Sequence, residues 1–260
     1  MVTPFQAAGW VRVPFDPAVK SWVDHVHPAA EAAMYDPALA HWWVCEDTWF
    51  VGVDALDNDA TGAVGTGPAL GGAPIDDVRH LCGHMLPLHK AQVSVTRPGY
   101  PRPRSGETEA AFRYRQIRAA AHVDGIRADG PDRRRRIAEP HAFILGLPLN
   151  QSHPQAAPLV VWEGSHHIIG AALRTALAGH APATWGQVDI TDAYVAARKE
   201  VFARCDRVQV QAEPGEATLL HRHVLHGVDP WPDGVPGAYR MIAYFRPELP
   251  GGVAGWLAPD

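Results

Sequence analysis

The sequence predicts a mainly β fold with flanking helices, a sandwich or jelly roll of the α+β class, and three observations carry that prediction. Eight or so short stretches read as strands, by alternation or by β-branched content, with turn residues between them. The 24 glycines and 24 prolines among 260 residues supply many turns and leave room for few long helices. Helical patterns do not alternate with the strands in the regular way that builds a parallel sheet. Hydrophobic residues make up 47% and charged residues 20%, the balance of an ordinary globular chain with a sizeable core. A single domain is expected over residues 1–260, with a mainly helical front over 1–90, a β core over 91–250 and a helical insertion at about 168–205.

Asp16-Pro17 reads as an N-cap followed by proline at the first helical position, opening a helix over 18–35. Val19, Trp22, Val23, Val26 and Ala30 fall on one of its faces. The aromatic run from His41 to Phe50 is expected to pack core or a pocket wall, and Asp54 to Pro74 to be a surface loop. A second helix is expected over 75–86, with Asp76 and Asp77 near its positive end. Residues 91–96 alternate and form a strand, stopped by Arg97-Pro98-Gly99. Arg102, Arg104, Arg113, Arg115 and Arg118 then crowd a segment that reads as a solvated basic loop or, more sharply, as a rim attracting an anionic substrate. Arg133 to Arg136 follow the turn Asp129-Gly130-Pro131 and read as a solvated helix or loop face.

Strands follow over 141–149 and 158–162, the second closed by a turn at Gly164-Ser165-His166-His167. Helices are expected over 168–178 and 190–205, the latter capped by Asp189 or Thr191. Strands over 207–212, 217–220, 224–228 and 238–245 complete the set, with a loop dense in breakers at 229–234 before the last.

A net charge of -5 gives no reason to expect nucleic acid or an anionic membrane as partner. No apolar run approaches the length of a membrane span and the first residues lack the pattern of a signal peptide, so a cytoplasmic protein is expected. Cys45, Cys82 and Cys205 share no metal-ligand spacing and are read as small buried thiols.

Fifteen histidines are many for a chain of this length, and two of them stand in informative places. His122-Val123-Asp124 on a strand would project both polar side chains to one face and offer a metal two ligands. A lone His-x-Asp is a chance-level match in so histidine-rich a chain. Its context adds weight: Ala119, Ala120 and Ala121 are too small to block a pocket, and Gly125 allows a tight turn. A mononuclear non-haem iron site of the two-histidine, one-carboxylate type needs one more histidine and keeps open positions. His226 can supply it from a strand where Val224, His226 and Val228 share a face, although His221-x-His223 is itself a possible metal pair. Arg240, Ile242 and Tyr244 share a face of the last strand, and a buried arginine there can hold a carboxylate by a two-pronged hydrogen bond, which suits an oxo-acid cosubstrate.

The order His122-Val-Asp124, Pro158-Leu-Val-Val-Trp-Glu-Gly-Ser-His166, Pro214-Gly-Glu-Ala-Thr-Leu-Leu220, His226-Gly227 and Arg240 resembles the phytanoyl-CoA dioxygenase family of iron(II) and 2-oxoglutarate-dependent oxygenases. The resemblance spans roughly residues 85–248, and the Gly-Ser-His turn and the His-Gly with its downstream arginine are its more specific parts. It implies a double-stranded β-helix (a cupin-like jelly roll) with N-terminal helices packed on it. It implies His122, Asp124 and His226 as iron ligands, and Arg240 gripping the distal carboxylate of 2-oxoglutarate. Val228 stands where members often carry a hydroxyl residue, so Gln92, Gln116 or Lys90 is expected to replace that contact, and residues 229–237 are expected to bulge as a hairpin loop so that Arg240 can reach back. Trp162, Arg115, Arg118, Gln116 and Tyr244 are the expected substrate-pocket residues, while Ser165 and His166 brace a turn.

The implied activity is hydroxylation of a small organic substrate using O2, with 2-oxoglutarate decarboxylated to succinate. Asp124 favours hydroxylation over halogenation, since related halogenases replace this carboxylate with a small residue. The rival reading is a jelly-roll binding module whose histidines are structural or hold zinc, without oxygen chemistry.

Overall fold

Asp16 organises the front of the molecule. In the computed structural model, which describes residues 3–258, its Oδ1 accepts from Ala18 N at 2.7 Å and its Oδ2 from Ala73 N at 2.8 Å. One carboxylate thereby caps one helix and ties down the start of another, satisfying N–H groups that helix starts leave without partners. The chain begins α1 (Pro4–Ala8), β1 (Trp10–Val13), α2 (Pro17–Tyr35), β2 (Trp43–Val44), β3 (Trp49–Phe50) and α3 (Ala73–Cys82). The capped helix α2 buries Val19, Trp22, Val23, Val26, Ala30 and Met34, the face its spacing predicts.

Next come β4 (Gln92–Thr96), α4 (Glu109–Ile117), β5 (Ile126–Asp129), β6 (Arg134–Ile137), β7 (Phe143–Pro148) and β8 (Leu159–Trp162). The chain ends α5 (Ser165–Leu177), α6 (Thr191–Arg204), β9 (Arg207–Val210), β10 (Ala217–His221), β11 (His226–Val228), β12 (Arg240–Phe245) and α7 (Gly252–Trp256).

A seven-stranded sheet runs β1-β10-β7-β12-β4-β3-β2, and a three-stranded sheet runs β11-β8-β9. His122 pairs with His226 on the free edge of the smaller one. From β4 onward the chain visits the large sheet, the His122 bridge, the large sheet at β7, the small sheet at β8 and β9, then large, small and large again at β10, β11 and β12. All pairings within these two sheets are antiparallel, and the winding is that of a double-stranded β-helix.

Alternation along the strands sorts side chains into three cores. Phe143, Leu145, Leu147, Met241, Ala243 and Phe245 turn outward to meet α2 and α3. Ile144, Leu159, Val161, Val210 and Leu220 fill the space between the sheets, with Tyr244 packed against them. Val160 and Trp162 turn the other way, into a cluster with Ile169, Leu173, Tyr194 and Val201 of α5 and α6. Each aliphatic side chain so buried contributes about 1.5–3 kcal/mol relative to exposure.

Several sequence expectations change. The front, besides its helices, contributes strands that the sequence did not mark, because β1 to β3 extend the large sheet at both edges. The 54–74 stretch is not all surface: Leu56, Asn58 and Leu70 are buried. The second half of the arginine-rich segment before His122 is a helix, α4, opened by Thr108, whose side chain accepts from Ala111 N, while Arg102 and Arg104 lie in the loop before it. Arg134 to Arg136 lie on β6, paired with β5 as a hairpin, rather than on a helix or loop face. Ser165 to His167 begin α5 instead of closing a turn. Residues 229–237 do not form a hairpin loop, because β11 and β12 lie in different sheets and the loop crosses between them. It is pinned there by Trp231 N donating to Tyr100 O at 2.7 Å and by Arg207 and Gln209 holding Asp229. Among the described residues no helix is long and apolar enough to cross a membrane.

Candidate metal centre

The His122-Val123-Asp124 segment is not a regular strand. After α4, Ala119 and Ala120 take φ of +50° and +52°, a left-handed pair costing about 1–2 kcal/mol per residue. Ala120 N and Ala121 N donate back to Arg115 O and Arg118 O at 2.7 and 2.8 Å, closing the helix end. His122 then makes a single bridge with His226: His122 N donates to His226 O at 2.8 Å and His226 N to His122 O at 3.0 Å. Asp124 and Gly125 turn the chain away, with Gly125 at φ +85°. Gly227 is required on the facing strand, since a Cβ there would run into the carbonyl oxygen of Ala119.

This irregular path still brings the three predicted donors together. His122 Nε2 lies 3.1 Å from Asp124 Oδ1, His226 Nε2 lies 3.8 Å from the same oxygen, and one ligand atom from each residue falls within 4.8 Å of the others. Both imidazoles are oriented from behind: His122 Nδ1 donates to Ala120 O and His226 Nδ1 to Val224 O, each at 3.0 Å. A carbonyl can only accept, so each ring keeps a proton on Nδ1 and turns Nε2, the nitrogen that would ligate a metal, toward the carboxylate. The side chain of His122 is 50% exposed while those of Asp124 and His226 are 11% and 9% exposed, so the group opens to solvent on the His122 side.

The electrostatics treat the three donors differently: burial pushes the His122 imidazole down, but its hydrogen bond to Asp124 and that carboxylate's charge outweigh it and raise its pKa. Burial pushes the Asp124 carboxyl up, but the hydrogen bond to His122 and the charge of Arg246 outweigh it and hold the group well below its usual range. Burial, reinforced by the neighbouring His122, drops His226 to about 4, which keeps it neutral near pH 7. A divalent transition metal takes an ionised carboxylate with two neutral imidazoles, so its binding would displace any proton that Asp124 holds on His122. Among the described residues this is the one group of three or more His, Cys, Asp or Glu side chains that could hold a metal ion. His221 and His223 instead share an aromatic cluster with His166 and Trp256.

Arg246 was not singled out from the sequence. Its Nη1 lies 3.2 Å from Asp124 Oδ2, so the carboxylate divides its oxygens between the histidines and a guanidinium. The available signal was its parity, since Arg246 follows Arg240, Ile242 and Tyr244 at even steps.

Arg240, Ile242 and Tyr244 line one cavity of about 330 Å3 between the sheets, together with Arg12, Thr218 and Leu159. The three donors do not line it. Thr96 stands directly across the ladder from Arg240, and its Oγ1 is buried without a hydrogen-bond partner. Gln92 faces Tyr244 across the same ladder and donates its amide to Val51 O at 2.8 Å.

Other expected site residues lie elsewhere. Lys90 pairs with Asp57 at 2.6 Å on the surface, where a cosubstrate within the fold cannot meet it. Trp162 is 2% exposed and packs under α5 and α6 with Phe202, because its parity on β8 is opposite to that of Leu159 and Val161. Arg115 is buried in an ion pair with Glu107 and donates to Arg102 O, so its charge is spent inside the fold instead of being offered to a substrate. Arg118 lays its guanidinium over the Phe202 ring, 4.4 Å from the centroid. Gln116 is half-buried on the last turn of α4, and nothing in the structure brings it to the donor group.

No family model matches the chain, and no curated protein matches it. Solved structures do. AviO1 from Streptomyces viridochromogenes Tue57 superposes with a TM-score of 0.50 at 15% identity, over 95% of this chain and 93% of its own. EctD from S. alaskensis with bound Fe gives 0.49 at 20% identity, over 96% and 78%. The non-heme alpha ketoglutarate dependent epimerase SnoN from nogalamycin biosynthesis gives 0.47 at 16%, over 97% and 83%. The likeness to AviO1 extends over nearly the whole of both chains and is one of fold.

Proposed function

We propose that this chain is a non-haem iron(II)- and 2-oxoglutarate-dependent dioxygenase that hydroxylates a small organic substrate. The observation that carries the reading is the convergence of His122 Nε2, His226 Nε2 and Asp124 Oδ1 on one open-sided point, with both Nδ1 atoms already bonded to backbone. Bound together, ferrous iron and 2-oxoglutarate supply the oxidising power: O2 is consumed, 2-oxoglutarate leaves as succinate and carbon dioxide, and one oxygen atom enters a substrate C–H bond. The protein's part is to grip, orient and exclude water. His122, Asp124 and His226 would hold the metal on one face, with Arg246 fixing the Asp124 carboxylate.

Arg240 would take the distal carboxylate of the oxo-acid, a charge-assisted pairing favoured inside the cavity it lines. The partnerless hydroxyl of Thr96, directly across from Arg240, fits such an acceptor, because a buried hydroxyl without a partner costs about 1–3 kcal/mol until one arrives. Tyr244 lines the same cavity.

Anaerobic titration of ferrous protein with 2-oxoglutarate tests the reading. The expected result is a visible charge-transfer band that His122→Ala abolishes, and that Arg240→Ala shifts to higher 2-oxoglutarate concentration while iron binding is spared. Failure of the wild-type protein to bind iron plus 2-oxoglutarate would overturn it, and a protein that binds zinc with no response to the oxo-acid would mark a binding module.

A further inference from the structure

The ligand-bearing segment lies on the edge of the small sheet beside β11, where some of its backbone groups face away from that strand. In an antiparallel ladder the N–H and C=O of one residue bond the partner strand, while those of the residues on either side point outward. His122 spends both of its groups on His226. Outward-facing groups on Ala121 and Val123 would then need a further strand, and among the described residues none pairs beyond them.

Helix α6 fills that place with side chains. Tyr194 Oη accepts from Val123 N at 3.0 Å, and Arg198 Nη2 donates to Ala121 O at 2.9 Å. The two residues are one turn apart on α6 and so share a face. Tyr194 is 3% exposed, with its ring packed in the core shared by α5, α6 and the residues Ala119, Ala121 and Val123. The guanidinium of Arg198 is fixed in turn by Tyr114 Oη of α4 at 3.2 Å.

From this geometry we infer that Tyr194 and Arg198 are positioning residues of the metal centre, standing in for a missing strand and setting the aim of His122 and Asp124. The inference rests on the metal reading above and adds that the helical insertion is part of the centre's scaffold. Held on both sides, the segment keeps the left-handed turn at Ala119-Ala120 and the bridge to His226 in one conformation. Strain of this kind persists only where surrounding contacts over-determine it. Loss of either contact frees the peptide planes flanking His122, so the imidazole and the carboxylate no longer present their donors together.

The test uses the whole chain and cobalt(II) alone, whose visible absorption reports ligand geometry without oxygen or 2-oxoglutarate. Tyr194→Phe keeps the ring and removes the acceptor; Arg198→Met keeps the stem and removes the donor. Both variants are expected to bind cobalt about tenfold more weakly or worse, the range for partners that orient metal ligands, and to shift its visible bands. Arg198→Lys, which keeps a donor, is expected to recover most of the affinity, and Lys199→Ala on the exposed side of α6 to match wild type. Apo thermal midpoints identify fully folded conditions for every titration. Wild-type affinity and spectrum in both Tyr194→Phe and Arg198→Met would overturn the inference. So would a loss that disappears once all variants are fully folded. If wild-type protein binds cobalt but shows no response to 2-oxoglutarate, the oxygenase reading fails while the positioning role is still decided.

Discussion

Arg246 Nη1 stands 3.2 Å from Asp124 Oδ2, on the far side of the carboxylate from His122 Nε2, which lies 3.1 Å from Oδ1. The guanidinium therefore assigns the two oxygens different roles and leaves Oδ1 directed at the donor group. Replacing it by Met keeps the aliphatic stem and removes the fork. Arg246→Met is expected to weaken ferrous binding by about tenfold to a hundredfold, measured by anaerobic titration. Unchanged affinity would show that Asp124 is aimed by its own turn alone.

Gly227 follows His226, and its lack of a side chain is what lets Ala119 O approach to accept from Val228 N at 2.9 Å. A methyl group at 227 would meet that oxygen, forcing the segment before His122 away from β11. Gly227→Ala is expected to cost about 1–3 kcal/mol of stability, the range for overpacking, and to remove tight metal binding. Gly179→Ala is the control, since a Cβ there meets nothing within 4 Å. Urea unfolding with a parallel metal titration checks both effects, and a Gly227→Ala protein that unfolds and binds metal like wild type would refute the packing argument.

Much of the β core was legible because strands with one face toward the cavity alternate, as Arg240, Ile242 and Tyr244 do. The cap Asp16 and the apolar face of α2 were legible for the same local reason. Alternation is silent where both faces are buried: all four residues of β8 are inside, so nothing in the sequence told which way Trp162 points. Helix α4 was hidden by its arginines, because the one residue it buries is Arg115, neutralised by a glutamate that lies outside the helix. The donor set could be named from spacing and resemblance, whereas its support from Tyr194, Arg198 and Arg246 depends on long-range packing that no local pattern encodes.

Trp162, placed under α5 and α6, should matter for folding and not for cosubstrate binding. It is 2% exposed and meets Phe202 edge to face at 5.3 Å. Trp162→Ala is expected to lose about 3–5 kcal/mol, as large aromatic truncations in a core do. Trp162→Phe is expected to keep enough stability for 2-oxoglutarate titration and to bind it as wild type does. A selective loss of cosubstrate affinity in Trp162→Phe would return this side chain to the pocket.

The buried pair Glu107–Arg115 makes acid stability a readout of how α4 is held. Arg115 Nη2 and Nε donate to the two carboxylate oxygens at 2.8 and 3.0 Å. Chiefly through that side-chain hydrogen bond the Glu107 pKa falls from 4.5 to about 2. A carboxyl whose pKa is lower in the folded chain than in the unfolded one stabilises the fold fully above its unfolded value, and that contribution is lost as pH falls through the folded one. The stability difference between wild type and Glu107→Gln should therefore be largest above about pH 5 and shrink between about pH 4.5 and 2. Charge-assisted hydrogen bonds of this kind are worth about 1.5–3 kcal/mol, so urea midpoints across that window can resolve the change. A difference that stays constant from pH 6 to pH 2 would mean that the pair contributes packing and no charge linkage.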